Sequence, residues 1–369
     1  MLNILSSEQK ELDAIQLELA RRALARRHLM DFVHYNFKDY DANWHHRIIA
    51  EKLEAVERGE IKRLMLFLPP RSGKSELGAV QFPAWYLGKH PDRDIITASY
   101  SSELAIDFGR KVRNLVNNER YNKLFATTLA EDNASAGRWS TKEGGEYLAA
   151  GVGGGITGRG ADVLIIDDPC KNREEAESET IRKRTIDWFK STAFTRLSPT
   201  GAVIVIMTRW FDSDLAGSIL AEDPGAWEVV SFPAIAEVDE AWRKQGEALW
   251  PARFNIDKLN EIKRTLGSYE WSALYQQNPL DNETQEFRRS MFLYRDWTEV
   301  ESRATRRYLT IDTAISKTAG SDYTGLVRNY VDRENRWNLK AHRAKLSPLE
   351  LIDLLFTLHN EDHYDKIGI

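Results

Sequence analysis

The segment Arg63-Leu-Met-Leu-Phe-Leu68 runs into Pro69-Pro-Arg-Ser-Gly-Lys-Ser75, and an amphipathic stretch begins at Glu76. Strand, glycine-containing loop and helix in that order make a cradle for phosphate. The backbone N–H groups of the loop and of the first helical turn converge on one anion. In such a cradle Pro70, Arg71, Ser72 and Gly73 shape the loop, Lys74 reaches the β- and γ-phosphates of ATP, and the Ser75 hydroxyl faces Mg²⁺. The match to G-x-x-x-x-G-K-[ST] is incomplete, because Leu68 stands at the first glycine position and Arg71 lies inside the loop. A second run, Val163-Leu-Ile-Ile-Asp167-Asp168-Pro169, is apolar throughout and ends in two carboxylates. Asp167 would hold Mg²⁺ through its water shell. Asp168 occupies the position of the group that orients an attacking water, but it is one methylene shorter than Glu. Glu174 and Glu175, just downstream, are alternatives for that task.

These groups need a scaffold that brings strand ends together. Strand-like runs fall at about 63–68, 94–100, 146–152, 163–167, 202–208 and 227–235, with helical patterns between several of them. That alternation predicts an α/β fold with a mainly parallel sheet and its active loops at the C-terminal ends of the strands. The run Val203-Ile-Val-Ile-Met207 delivers Thr208 and Arg209 to the same edge as Asp167, where a polar group can sense the γ-phosphate. The glycine cluster from Gly151 to Gly160 is too glycine-rich for regular structure and reads as a mobile loop beside the ATP site. Near the N-terminus Ser6-Ser-Glu-Gln9 has the form of a capping box. It is followed by Leu12, Ile15, Leu19 and Ala23 at helical spacing, with Arg21, Arg22, Arg26 and Arg27 beside them. Trp44, His45 and His46 are readable as adenine contacts or as packed core.

After Pro279 the pattern restarts. Tyr308 to Asp312, Asp322 to Val327 and Trp337 to Leu346 read as consecutive strands, and Ser347-Pro-Leu-Glu350 opens a helix with a capping serine. Composition is that of a water-soluble chain: 369 residues, 42% hydrophobic, with no apolar run of membrane-spanning length. A single cysteine, Cys170, excludes an internal disulfide framework and suits a reducing cytoplasm. No signal-peptide pattern opens the chain, so no export is expected. The net charge of −5 argues against binding DNA through bulk charge, so any DNA contact must come from local basic patches.

Several stretches, in order, resemble the large terminase subunits that package DNA into tailed-phage capsids. Ala42-Asn-Trp-His-His-Arg47 resembles the family's segment near the adenine, and Leu68 to Ser75 its arginine-containing Walker A loop. Ile96-Thr-Ala-Ser-Tyr100 resembles its second strand, and Gly158-Arg-Gly-Ala-Asp-Val-Leu-Ile-Ile-Asp-Asp-Pro169 its Walker B block. Val205-Ile-Met-Thr-Arg-Trp210 resembles the coupling motif. Trp271 to Pro279, with Tyr-Gln-Gln-Asn-Pro, resembles the joint before the nuclease. The resemblance implies a P-loop NTPase domain followed by a partial ribonuclease H-like domain. Arg159 then stands where the family places an arginine finger reaching a neighbouring subunit, with Arg71 as its competitor; Arg159 is favoured because Arg71 is committed to the loop. Asp312 matches the first metal-binding carboxylate of a nuclease that uses Mg²⁺ or Mn²⁺, and Asp322 is a nearby acidic partner. The remaining acids of that two-metal site are expected to be missing, since the chain stops at Ile369.

The expected organisation is an N-terminal helical segment over 1–60, an ATPase domain over 61–285 and a truncated nuclease domain over 286–369. The expected role is an ATP- and Mg²⁺-dependent motor that moves double-stranded DNA. It would work as a homo-oligomeric ring on the portal protein and receive DNA from the small terminase subunit, with no membrane involved. Its place would be the cytoplasm of an infected or lysogenic bacterial host rather than the mature virion. The alternatives are a helicase-like or remodelling ATPase of the same fold, and a non-catalytic prophage remnant.

Overall fold

Leu64–Leu68, Val163–Ile166 and Val203–Met207 are apolar without interruption and buried throughout, as strands covered on both faces must be. A computed structural model describes residues 7–156, 158–279, 293–313 and 323–368, in two units, Met1–Glu286 and Phe287–Ile369. In the first unit β1 (Arg63–Phe67), β2 (Ile95–Ser99), β3 (Leu129–Ala134), β4 (Arg138–Thr141), β5 (Glu146–Gly151), β6 (Ala161–Asp167), β7 (Leu197–Met207) and β8 (Glu228–Ser231) form one sheet. Their order is β3-β4-β5-β2-β6-β7-β1-β8. The run from β5 to β8 is parallel, and β4 and β3 extend it antiparallel. The α/β fold with a mainly parallel sheet is therefore as the sequence implies.

Three differences have local causes. The β3–β4 pair escapes a search for long apolar runs, since β4 merely alternates half-buried and buried residues. The strand expected at 202–208 begins earlier, at Leu197, with a break in register before Val163 pairs with Ala202. The strand expected at 227–235 stops at Ser231, two residues before Pro233, whose nitrogen has no hydrogen to give a ladder.

Helices cover both faces. On one side Phe32, Ile49, Leu53, Trp85, Val112 and Tyr121 pack over β1, β6 and β7, and on the other Trp188, Phe189, Leu215 and Ile219 do so. Trp85 is fully buried, and its indole N–H donates to the Ala25 carbonyl at 3.2 Å, fixing the end of the helix Ser7–Arg27. The rest of that helix packs little: Leu12, Ile15 and Leu19, the expected apolar stripe, are each more than half exposed. Ser6, its expected cap, lies outside the described residues.

In the second unit β9 (Ala304–Asp312), β10 (Thr324–Asp332) and β11 (Trp337–Ala344) form an antiparallel meander. The helix Pro348–Asp362 follows, opened by a capping box in which Ser347 and Glu350 satisfy each other's backbone N–H. It leads into β12 (Lys366–Gly368), parallel to β9, giving the order β11-β10-β9-β12. The three strands and the helix read from the sequence are thus present in this unit. The sequence reading placed no strand after the helix; three residues are too few for alternation to register. Leu309, Leu326, Tyr330 and Leu358 form the unit's core.

Trp85→Ala removes one of the two fully buried tryptophans among the described residues of the first unit, together with its bond to Ala25. The first unit should lose about 3–5 kcal/mol, measured as a lowered urea midpoint of its unfolding transition.

Candidate nucleotide site

The parallel strands bring the ends of β1, β6 and β7 to one edge, and the sequence-selected groups of all three meet there. After β1 the chain turns through Leu68–Ser75 into a helical stretch that runs to Lys89. Arg71 and Gly73 both have positive φ, 59° and 88°. A Cβ at position 73 would lie 2.4 Å from His46 Nε2, so glycine is demanded by conformation and by space alike. The Ser72 hydroxyl donates to the Pro69 carbonyl at 2.7 Å. Arg71 is exposed, and among the described residues no ion pair holds it.

His45 and His46 lie fully buried beneath this loop. His46 Nδ1 accepts the Asn43 N–H at 3.0 Å, and His45 Nδ1 accepts from the Asn43 amide at 2.8 Å. The Nε2–H of each ring is left to donate to one acceptor, the Ser72 carbonyl, at 3.0 and 2.9 Å. Burial pushes His45 down to about 3 and His46 down to about 4, so both are neutral. With both ring nitrogens taken and no exposed surface, His45 is not a contact for a nucleotide base, which corrects the first of the two readings open from sequence. Trp44 is half-buried, edge-on to Phe232 at 5.3 Å and stacked on Trp242.

Asp167 ends β6 with 1% exposure. Its Oδ1 has no hydrogen-bond partner among the described residues, and the Ser75 hydroxyl lies beside the same carboxyl group, where it favours the charged form. Burial, and then the neighbouring Asp168, push its pKa well above the usual carboxylate range, while Lys74 and Ser75 pull the other way. An orphaned buried oxygen beside a hydroxyl suits a hard divalent cation, and Mg²⁺ fits this pair. Asp168, at φ 42°, grips Lys74: its Oδ2 lies 3.1 Å from Nζ. Its Oδ1 accepts the Thr208 N–H at 2.9 Å, and the Thr208 hydroxyl donates to the Leu68 carbonyl at 3.1 Å. Thr208 thus bridges the ends of β6 and β1 from the strand between them.

Other expected site residues lie elsewhere. Glu174 is exposed on the short helix Arg173–Glu177, and Glu175 accepts the Lys171 N–H at 3.0 Å; neither bonds to the loop. The Arg209 guanidinium is tied to Asp214 at 2.8 Å and to the Phe211 and Asp212 carbonyls, so it is not presented to phosphate in this conformation. Arg209 instead matters through its backbone, whose N–H donates to Gln277 Oε1 at 3.1 Å. Sequence reading assigned nothing to Gln277, Asn43 or the Ser72 carbonyl; Asn43 and His46 do carry the spacing of a helix cap and its third residue.

Arg159 is the clearest displacement. The glycine loop leaves β5 at the nucleotide edge, where the Val152 N–H donates to the Ser99 carbonyl. It then returns to the start of β6 at the opposite edge. There Arg159 pairs with Glu146, the first residue of β5, at 3.5 Å, beside Arg138 at 3.0 Å. Seven residues of β6, Ala161–Asp167, separate it from the carboxylates, about 20 Å at ~3.3 Å per residue. Only the first part of the loop lies beside the candidate ATP site. Thr157 falls outside the described residues, as does Asp322. Asp312 is exposed at the end of β9, and among the described residues no group of three or more His, Cys, Asp or Glu is arranged to hold a metal.

The raised Asp167 gives a pH signature. Its ordinary value of 3.8 rises to about 7 on folding, so the folded chain holds this proton more tightly than the unfolded one. The group's contribution to stability is present at low pH and is lost as pH rises through that window. Without metal, Asp167→Asn should therefore gain in melting temperature over the wild type between pH 5 and pH 8, and added Mg²⁺ should narrow the gap. A gap independent of pH would show that Asp167 titrates normally.

A family model described as the N-terminal part of the terminase large subunit, T4-like-virus type, matches residues 65–293, more than half of the chain. No curated protein matches. Among solved structures, the large terminase of bacteriophage HK97 is 14% identical, aligned over 89% of this chain and 70% of that one, with TM-score 0.45. The large terminase of a thermophilic bacteriophage, in complex with ADP, is 9% identical over 84% and 74%, with TM-score 0.34. The ATPase domain of the Thermus phage P74-26 large terminase is 15% identical over 60% and 90%, with TM-score 0.38. With the family's match running from the middle of β1 through both carboxylates, Thr208 and the Tyr-Gln-Gln-Asn-Pro segment, the chain belongs to the terminase large subunit family.

Proposed function

We propose that the chain is the ATP-hydrolysing subunit of a motor that moves double-stranded DNA into a viral procapsid. The observation that carries the proposal is the meeting, at one sheet edge, of Lys74, Asp168 and Thr208 with the unpartnered oxygen of Asp167 beside Ser75. Ser75 and Asp167 would hold Mg²⁺, which neutralises charge on the phosphate oxygens when bound. Arriving phosphates compete with Asp168 for the Lys74 ammonium. Once Lys74 turns to them, one oxygen of Asp168 becomes free to orient a water, while its other oxygen still reports to Thr208. Glu174 lies off this edge, which supports Asp168 for that task. Arg159 stands too far from its own chain's phosphate loop to serve it. It fits a finger offered to a neighbouring copy in a homo-oligomeric ring, whereas Arg71 is available within the chain.

The domain limits 1–60, 61–285 and 286–369 remain our reading of this organisation. So do the portal protein and small terminase subunit as partners and the bacterial host cytoplasm as location. No helix among the described residues is long and apolar enough to cross a membrane. The second unit would contribute Asp312 to a metal-dependent nuclease.

Turnover should require Mg²⁺ and rise when the chain is assembled with its partners. Lys74→Ala should abolish it. Arg159→Ala should leave ADP binding unchanged and lower assembled turnover by about 10³–10⁵-fold. Normal hydrolysis by the Lys74 variant would sink the ATPase reading, and lost binding in the Arg159 variant would make that residue a ground-state ligand. Since Asp312 offers one corner of a two-metal site, any Mg²⁺- or Mn²⁺-dependent nicking of supercoiled plasmid by the chain should disappear in Asp312→Ala.

A further inference from the structure

We propose that His45 and His46 are positioning residues for phosphate recognition: together they hold the Ser72 carbonyl away from the nucleotide, so that the Gly73 and Lys74 N–H groups face the phosphates. The inference rests on the nucleotide reading above and concerns the same site. A carbonyl oxygen accepts through two lone pairs, and here both are taken by imidazole N–H groups, at 3.0 and 2.9 Å. Nothing else among the described residues holds that oxygen. The Ser72 hydroxyl bond to Pro69 fixes the side chain, and the helix takes up the next carbonyl along, that of Gly73, through the Leu77 N–H at 3.0 Å.

The peptide between Ser72 and Gly73 is the one most able to turn over, because Gly73 tolerates either sign of φ. Turned over, it would aim a carbonyl at an anion and withdraw an N–H donor. The two histidines remove that alternative from below. They are themselves fixed: Asn43 satisfies both Nδ1 atoms, the two rings lie 3.9 Å apart, and Trp250 packs edge-on to His46 at 4.8 Å. The space His46 occupies also forbids any side chain at position 73.

The test uses the full chain and measures ADP and inorganic pyrophosphate binding by calorimetry. His46→Leu should weaken both by roughly tenfold, the size of one lost hydrogen bond at the upper end of its usual worth. His46→Gln, whose amide N–H can still reach a carbonyl, should recover most of the loss. Trp139→Leu, which loses a buried ring stacked on Tyr147 in the β4–β5 part of the sheet, should lower the melting temperature but leave pyrophosphate affinity within twofold. Should His46→Leu not fold, His45→Leu removes the other donor and carries the same expectation. Equal binding by wild type and His46→Leu would overturn the inference alone, and so would equal losses in the Leu and Gln variants. A wild-type chain that binds neither ADP nor pyrophosphate would overturn the nucleotide reading and this inference with it.

Discussion

The carboxylate of Asp168 is the point on which the candidate site depends. It belongs to the end of β6, yet one oxygen holds the lysine that follows β1 and the other holds the backbone that follows β7. Lys74 is almost fully buried, and a buried ammonium without a counter-charge is expensive, so in the absence of phosphate something must face it. Asp168 does so, and this leaves no second cation for Asp167. That residue is therefore either protonated or matched by a metal ion. One ion pair thus fixes the loop's resting position and the charge state of its neighbour.

The strand order makes this possible. Because β7 lies between β1 and β6, Thr208 touches the Leu68 carbonyl on one side and Asp168 on the other. The next residue, Arg209, gives its N–H to Gln277, whose amide also donates to the Leu274 carbonyl. A contiguous set of bonded groups thus runs from Lys74 to the Tyr-Gln-Gln-Asn-Pro segment, the physical requirement for nucleotide state to be felt there. Of the five described non-glycine residues with positive φ, Asp168 and Gln277 lie along this route, and Arg71 lies in the loop that leads to Lys74. Left-handed backbone in such residues costs of order 1–3 kcal/mol, and it persists where surrounding bonds over-determine it.

Much of this was legible before any coordinates. Uninterrupted apolar runs marked the central strands, and in a parallel sheet their polar terminal residues have to share an edge, which places Lys74, Asp167 and Thr208 together. The edge occupied by Arg159 was legible by the same logic, since a residue preceding a strand lies at the opposite end from one that closes it. The histidine pair was not legible. Burying two imidazoles depends on a carbonyl supplied by the Ser72 backbone, well apart in sequence, and no spacing rule announces it. The β3–β4 hairpin stayed hidden because a short alternating strand at a sheet margin leaves little apolar signal.

The sheet's two edges also bear on symmetry. One carries the surface that would receive a neighbour's guanidinium and the other carries the guanidinium of Arg159, so donor and acceptor are different faces of one chain. A two-fold dimer joins identical faces and would bring like to like. Head-to-tail contact is the arrangement that lets every copy give and receive, and such contact ends either in a closed cycle or in an open helix, according to the rotation between successive copies. With Arg159 as the finger proposed above, its separation from Asp167 within one chain would restrict which assemblies leave no active site incomplete.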